Sequence, residues 1–542
     1  MKKRYLLIFS FIIAIFGIGY GLPMHFIGDE ESLIGGAIKM MELKNLFPVL
    51  APEQLKLLYY PPIIPYLYIL AFLPVIIFKF FVSGFDLLSL KDYFVTDLDL
   101  LWISARLTTA VFSIGILVIV YQISKIVFSK KSAYLSTALL AFSFFHVLLS
   151  SVARHWIFTV FLVYLIILLT LWFVHGHIKK YWLIGLAVGV AMGTSYVTFL
   201  VLPLVVLILW FYRQQIINPI KKILINISLA LAVGAPLVFI NLPDLLRFKY
   251  GGDLLGEPLK KSFVGFLYHL VQVVTVLFNQ ELLILFLAIF ALLLWKRNIK
   301  IKIFISFFIF IYCFVLYYFL HFEGRYIYFV MPALAILSAD FLVYLSEKIP
   351  NLKVYYFLLI LLFLWPALGI FHYKRLLLVD DTRELAVQYI EQEISDKEFL
   401  LSSPHIRLPR SYDSLTLAQE QGHINATETY IYNNYDRLAN NFEKKYNYQN
   451  IHFWKEDLKN QASLEEYIDK HETVYFVLEY WSDDGLEDYY SYLRKNAKLV
   501  KIFRQSNLGR DYNVANGNFW AFNTILFKLD RLGPSVEIYQ LK

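Results

Sequence analysis

Cysteine is almost missing: of 542 residues only Cys313 is one, and it lies in an apolar run. A disulfide framework and a cysteine metal cage are excluded, and the redox compartment stays open. Charge is sparse as well, at 17% of residues. The surplus of Lys plus Arg over Asp plus Glu, 50 to 42, sits largely in short loops between apolar runs, a pattern of membrane orientation and not of nucleic-acid binding. There is no internal repeat and no low-complexity tract. After Lys2-Lys3-Arg4 and the apolar stretch that follows, a small-x-small cleavage pattern is lacking, so this segment reads as an uncleaved first helix.

What the chain does have is apolar length. It is 58% hydrophobic and 18% aromatic, with a mean hydropathy of +0.57, and its runs suffice to cross a hydrocarbon core of roughly 30 Å. The reading is a polytopic α-helical membrane protein. Whether the run 62–81 crosses is decided by charge. If it lies along or re-enters the outer interface, Lys130-Lys131, Lys179-Lys180, Arg213 with Lys221-Lys222, and Lys296-Arg297-Lys300-Lys302 all fall inside with the amino terminus. Spans are then expected near 5–22, 101–127, 132–150, 156–174, 181–195, 198–212, 222–241, 279–295, 302–320, 326–345 and 354–372, about eleven, with interfacial helices in a first outer loop, 23–100. After residue 372 the apolar runs shorten to strand length, as in 474–478, and alternate with amphipathic stretches such as 382–394. Residues 373–542 therefore read as an α/β domain of roughly 170 residues, placed outside the plasma membrane by the odd number of spans.

Gly28-Asp29-Glu30-Glu31 follows the first span and opens a stretch, 32–43, whose Leu33, Ile34, Ala37, Ile38 and Met41 recur at helical spacing, as in an amphipathic helix on the outer leaflet. Asp29 suits an N-cap, and the glutamates suit the positive end of a helix dipole. Equally, three carboxylates so close repel one another, which suits one of them to general-base work. Arg325, in Glu323-Gly324-Arg325-Tyr326, occupies a short outer turn where a guanidinium can fork onto a phosphate, snorkel, or pair with Glu323. Arg154-His155 mark another such turn, able to bind phosphate, ligate a metal or anchor a helix. Arg106 is an anchor or a wall of the same cavity. Tyr59 and Tyr60, before Pro61-Pro62, offer aromatic surface of the interfacial-belt kind.

The uncleaved first span, the Asp29-Glu30 pair just outside it, the Pro61-Pro62 segment, Arg106-Leu107 opening the second span, and Arg325-Tyr326 followed by Pro332 together resemble the GT-C superfamily. The nearest branch holds protein O-mannosyltransferases and lipid A aminoarabinose transferases, and the resemblance covers residues 1 to roughly 400. It implies a polyprenyl-phosphate-linked sugar donor, a catalytic role for Asp29 with Glu30 as acidic neighbour, and a basic hand for the donor phosphate at Arg325; from their own chemistry, Arg154, His155 and Arg106 are expected to join Arg325 at that phosphate. Glu31, Tyr59, Tyr60 and Tyr326 would line the substrate cavity. The sequence departs from the aminoarabinose branch at Pro61, where that branch has lysine, and at His155, where it has aspartate. No cofactor is assigned; Asp29 and His155 are the residues that could meet a divalent metal. The expected activity is inverting transfer of a sugar to an extracytoplasmic hydroxyl. The rivals are a transporter or flippase of a lipid-linked substrate, and a polysaccharide polymerase or ligase using the same donor.

Overall fold

The computed structural model describes residues 3–25, 27–50, 61–240, 262–294, 299–319, 323–421, 426–436, 448–452, 471–481, 497–508, 511 and 525–541. Tyr59 and Tyr60 lie outside the described residues, and Asp29 is described through its backbone alone. Helices dominate as far as Leu376, and a five-stranded sheet with its own helices follows.

Seven described helices are long and apolar enough to cross a membrane, or eight if one bent pair counts as a single span. Shorter apolar helices complete the bundle, Arg4–Ile15, Trp182–Met192 and Leu282–Leu293 among them. Cys313 is buried within it. The helices depart from the expected layout in places, and the first departure has a local cause. The single span expected at 132–150 is broken into α6, Lys130–Ala141, and α7, Phe144–Ser150, bent by 62°. Ser143 caps α7 by accepting from His146 N, and the Glu281 carboxylate seals the break by accepting from Ser143 Oγ at 2.6 Å and Phe145 N at 2.9 Å. The second departure is Phe263–Gln280, which the expected spans left out up to residue 279 and which is a long apolar helix of its own.

The acidic segment forms α2, Gly28–Glu42, whose N-cap is Ile27 and not Asp29; Asp29, Glu30 and Glu31 instead fill the first turn, where a helix dipole favours them. The expectation of a helix lying on the outer leaflet is corrected here. Leu33, Ile34, Ala37 and Met40 are at most 1% exposed, because α2 lies between α3, Ile63–Val82, and the helix Ala426–Asn433 of the carboxy-terminal part. Asn433 Nδ2 donates to Glu42 Oε1 at 3.3 Å. A pattern of apolar spacing marks a face to be covered, and here protein covers it.

α3 is among the helices long enough to span. Its first amide, Ile63 N, donates to Gly193 O, and Lys79 near its end lies over the Tyr93 ring of α4, Leu87–Thr96, which leads directly into α5, Asp99–Val127. At 1.5 Å per residue α5 is about 44 Å long, and Arg106 lies about 10 Å from its first residue.

The sheet has strand order β2-β1-β3-β5-β4. β1 (Phe399–Ser402), β2 (Gln449–His452) and β3 (Val474–Tyr480) are parallel, while β5 (Ser535–Gln540) is antiparallel to β3 and to β4 (Lys498–Phe503). The helix Thr382–Glu393 starts with a capping box, the Asp381 side chain against Glu384. The Tyr20 hydroxyl, just past the first helix, also donates to Asp381, and Thr382 Oγ1 donates to Pro534 O at 2.6 Å. Gly533 has φ +105°, and a Cβ there would lie 2.1 Å from Thr382 Oγ1, so only glycine fits this crossing. These contacts seat the sheet on the end of the bundle that carries Glu30.

Candidate active site

Glu30 is fully buried and gripped from two sides. Arg106 of α5 forks onto it, Nε to Oε1 at 2.9 Å and Nη2 to Oε2 at 2.6 Å, and Ala153 N donates to Oε1 at 2.6 Å. The remaining Arg106 nitrogen, Nη1, donates to Ile18 O at 2.6 Å and Tyr20 O at 2.8 Å. Both residues were expected to face substrate, Glu30 as catalytic neighbour and Arg106 as a phosphate contact. Their geometry makes them a closed, charge-assisted pair that ties α2, α5 and the segment after the first helix into one frame.

The turn that holds Glu30 also reaches the segment that carries Arg325, through Tyr326. Ala153 is followed by Arg154 and His155, exposed by 4% and 1%, and then by Trp156, whose ring lies 4.7 Å from that of Tyr326. His155 opens α8, His155–Val174, with its own ring 4.4 Å from Trp156. Arg325 belongs to the short 3-10 helix Gly324–Val330, is buried, and pairs with Glu323 at 2.5 Å. Residues from α2, from the 151–156 turn and from the 323–326 turn are thus consecutive in space. Lys374 closes this end of the bundle, its Nζ bonded to Ser151 Oγ at 3.0 Å and Phe16 O at 3.1 Å.

Four residues that sequence reasoning missed complete the cluster. His25 Nε2 donates to Asp99 Oδ1 at 3.0 Å while its ring stacks on Trp102 at 4.0 Å. Burial lowers the His25 imidazole below its ordinary range, against the Asp99 hydrogen bond and with help from Arg407, so this histidine is neutral at pH 7. Arg407, from the loop after β1, bonds Glu31 Oε2 through Nη2 at 2.5 Å. A lone arginine in a loop carries no local signal of such a partner; Asp99 and Trp102 at the mouth of a span could have been picked out as polar and aromatic groups at membrane depth.

Behind Arg407, Arg410 bonds Glu428 Oε1 through Nε at 3.0 Å and Nη2 at 2.5 Å, with His452 buried beside them. Burial first, and then the charge of Arg410, push His452 down to about 3 from 6.5, with Glu428 opposing. The unfolded chain takes up this proton near 6.5 and the folded one only near 3. The stability tied to neutral His452 is therefore complete above 6.5 and lost as pH falls. Between pH 6.5 and about pH 5 the expected loss is about 2 kcal/mol. Thermal midpoints against pH should show this slope in the wild type and a flatter one in His452→Gln; equal slopes would rule His452 out as its source.

Among the described residues no group of three or more His, Cys, Asp or Glu side chains converges as a metal would need. A separate cavity of ≈ 610 Å³, with Tyr164, Phe308 and Ala333 at one end and Arg213 and Gln214 at the other, lies toward the opposite end of the bundle and takes no part in the cluster.

The architecture has solved counterparts. ArnT from Cupriavidus metallidurans, with undecaprenyl phosphate bound, aligns over 99% of this chain and 98% of its own with a TM-score of 0.51 at 10% identity, and its apo state aligns equally well. This is a GT-C fold. The apo Archaeoglobus fulgidus oligosaccharyltransferase, another GT-C protein, aligns over 94% of this chain and 76% of its own at 12% identity, with a TM-score of 0.45. In sequence, residues 99–239 match the family model of dolichyl-phosphate-mannose-protein mannosyltransferases. No curated protein matches the sequence. The chain is therefore similar to GT-C glycosyltransferases, and the matched stretch runs from Asp99 through Arg106, Arg154 and His155.

Proposed function

We propose that the protein is an inverting glycosyltransferase that moves a sugar from a polyprenyl-phosphate carrier to an extracytoplasmic hydroxyl. The amino terminus is cytoplasmic, residues 1–372 form the catalytic membrane part, and 373–542 form an α/β domain outside the plasma membrane. The observation that carries this reading is the 151–156 turn, which bonds Glu30 at Ala153 and stacks on Tyr326 at Trp156, so that the first turn of α2 and the segment that carries Arg325 are joined through one turn. The undecaprenyl phosphate on C. metallidurans ArnT supports a lipid-phosphate donor of the same kind.

Chemically, the acceptor hydroxyl gives its proton to Asp29, its oxygen bonds to the anomeric carbon, and the bond from that carbon to the phosphate oxygen breaks. The electron pair leaves with the polyprenyl phosphate, and attack opposite the leaving group inverts the centre. Arg325, with Arg154 and His155, meets the charge that grows on the phosphate. Arg106 and Glu30 position α2 rather than touch substrate. A transporter would keep ionisable groups deep in the bilayer along its pathway. The buried pair Lys302 and Asp340, at 3.1 Å, is closed and sits at a helix end, with Lys302 Nζ also bonded to Ala291 O and Leu294 O.

The test is incubation of the purified chain with a radiolabelled polyprenyl phosphosugar and candidate acceptors, followed by lipid extraction and mass analysis. Label leaving the lipid for an acceptor supports the reading. Label on a longer lipid-linked chain points to a polymerase, and intact donor after incubation with all acceptors sinks the proposal. Arg325→Gln should lower kcat by roughly 10²- to 10³-fold.

A further inference from the structure

We propose that Glu31 and Arg407 form a binding subsite for a neutral, hydroxyl-rich acceptor, a glycan or polyol, built half from α2 and half from the carboxyl edge of the α/β sheet. Calling that ligand the acceptor rests on the glycosyl-transfer reading; the existence of the subsite does not.

The first support is topological. β1, β2 and β3 run parallel and in register, Ser402 opposite His452 and Val477. Their carboxyl ends lie along one edge, which in open α/β sheets is where ligands bind. His405, Arg407 and Arg410 follow β1, His452 ends β2, and Glu479 lies near the end of β3, bonded to His405 Nδ1 at 2.5 Å. That edge faces the bundle: Arg407 reaches Glu31 across 376 positions of sequence.

The second support is chemical. Glu31 is 8% exposed, yet only Oε2 is bonded. Oε1 of Glu31 and Nε of Arg407 are both buried with no hydrogen-bond partner, and buried polar groups are otherwise almost always matched. One atom can only accept and the other can only donate. A hydroxyl does both, and a vicinal pair of hydroxyls can serve both atoms together. An anion fits poorly, because the carboxylate lies within the same pair and cancels the guanidinium charge. Around the pair, His25 is within electrostatic reach of both members, and Trp102, stacked on His25, holds a buried Nε1 donor that is likewise unmatched. The acceptor side of the reaction would then be assembled only where sheet and bundle meet.

The experiment uses the full-length chain in detergent with no donor present. Binding of neutral oligosaccharides, of the same sugars carrying a phosphate, and of serine- and threonine-containing peptides is followed by intrinsic tryptophan fluorescence. Wild type should prefer the neutral oligosaccharides. Glu31→Gln and Arg407→Lys should each weaken that binding about tenfold or more, Arg407→Lys with an unchanged thermal midpoint. Arg407→Lys is the discriminating variant, since it keeps the ion pair and removes Nε. Equal binding by Arg407→Lys and wild type would reduce the pair to an anchor between domains and overturn the proposal. So would tighter binding of the phosphorylated sugars or peptides, or no binding of neutral oligosaccharides by wild type. An inactive enzyme that still binds them would fail the transfer reading alone.

Discussion

Asp29→Asn is expected to lower kcat for glycosyl transfer by roughly 10²- to 10⁴-fold, the usual worth of a general base, while membrane insertion and the thermal midpoint stay as in wild type. The substitution keeps size and removes basicity. Its effect should be large because neither neighbour can take over. Glu30 is locked by Arg106 and Ala153 N, and Glu31 has one oxygen bonded to Arg407. The first turn of a helix also steadies a carboxylate, and a reaction whose leaving group is already good asks for no more than a moderate base. Single-turnover rates with a radiolabelled polyprenyl phosphosugar decide the matter: a variant that retains near-normal turnover removes Asp29 from the mechanism.

The second large effect concerns stability. Arg106→Met leaves Glu30 buried and charged without its partner, which typically costs about 3 to 5 kcal/mol, and Ile18 O and Tyr20 O lose their donor as well. A sharp fall in thermal midpoint is expected for Arg106→Met and for Glu30→Leu alone. The double variant should recover most of it, since replacing a whole buried pair by apolar groups is often close to neutral. It should nonetheless stay slow, because Ala153 N then has no acceptor and the turn bearing Arg154 and His155 is no longer held. If the double variant regains both midpoint and kcat, the pair has no part in positioning the site.

Much of this molecule could be read from its residues. Apolar runs of span length became helices, the short run at 474–478 became β3, and the stretch at 382–394 became the helix Thr382–Glu393, because each answers to a local period. The short turns at Arg154-His155 and Arg325-Tyr326 were visible as charge interrupting apolar sequence. What escaped was pairing across distance. Nothing near Arg106 announces Glu30 as its partner 76 positions away, and nothing near Arg407 announces Glu31. α2 shows the same limit, since amphipathic spacing cannot say whether lipid or protein will cover the apolar face. The break between α6 and α7 was hidden too, for a serine inside an apolar run marks a bend only once Glu281 is known to lie against it.

The enclosure of Cys313 within the bundle has a practical consequence for anyone wishing to watch the protein work. With no competing sulfur within reach of reagents, thiols introduced in place of Glu42 and Asn433, whose side chains meet at 3.3 Å, would be the only ones to label. A short bifunctional reagent could then fasten the sheet to the bundle, and a cleavable version could release it, turning a static contact into a reversible clamp whose effect on turnover can be followed in a single preparation.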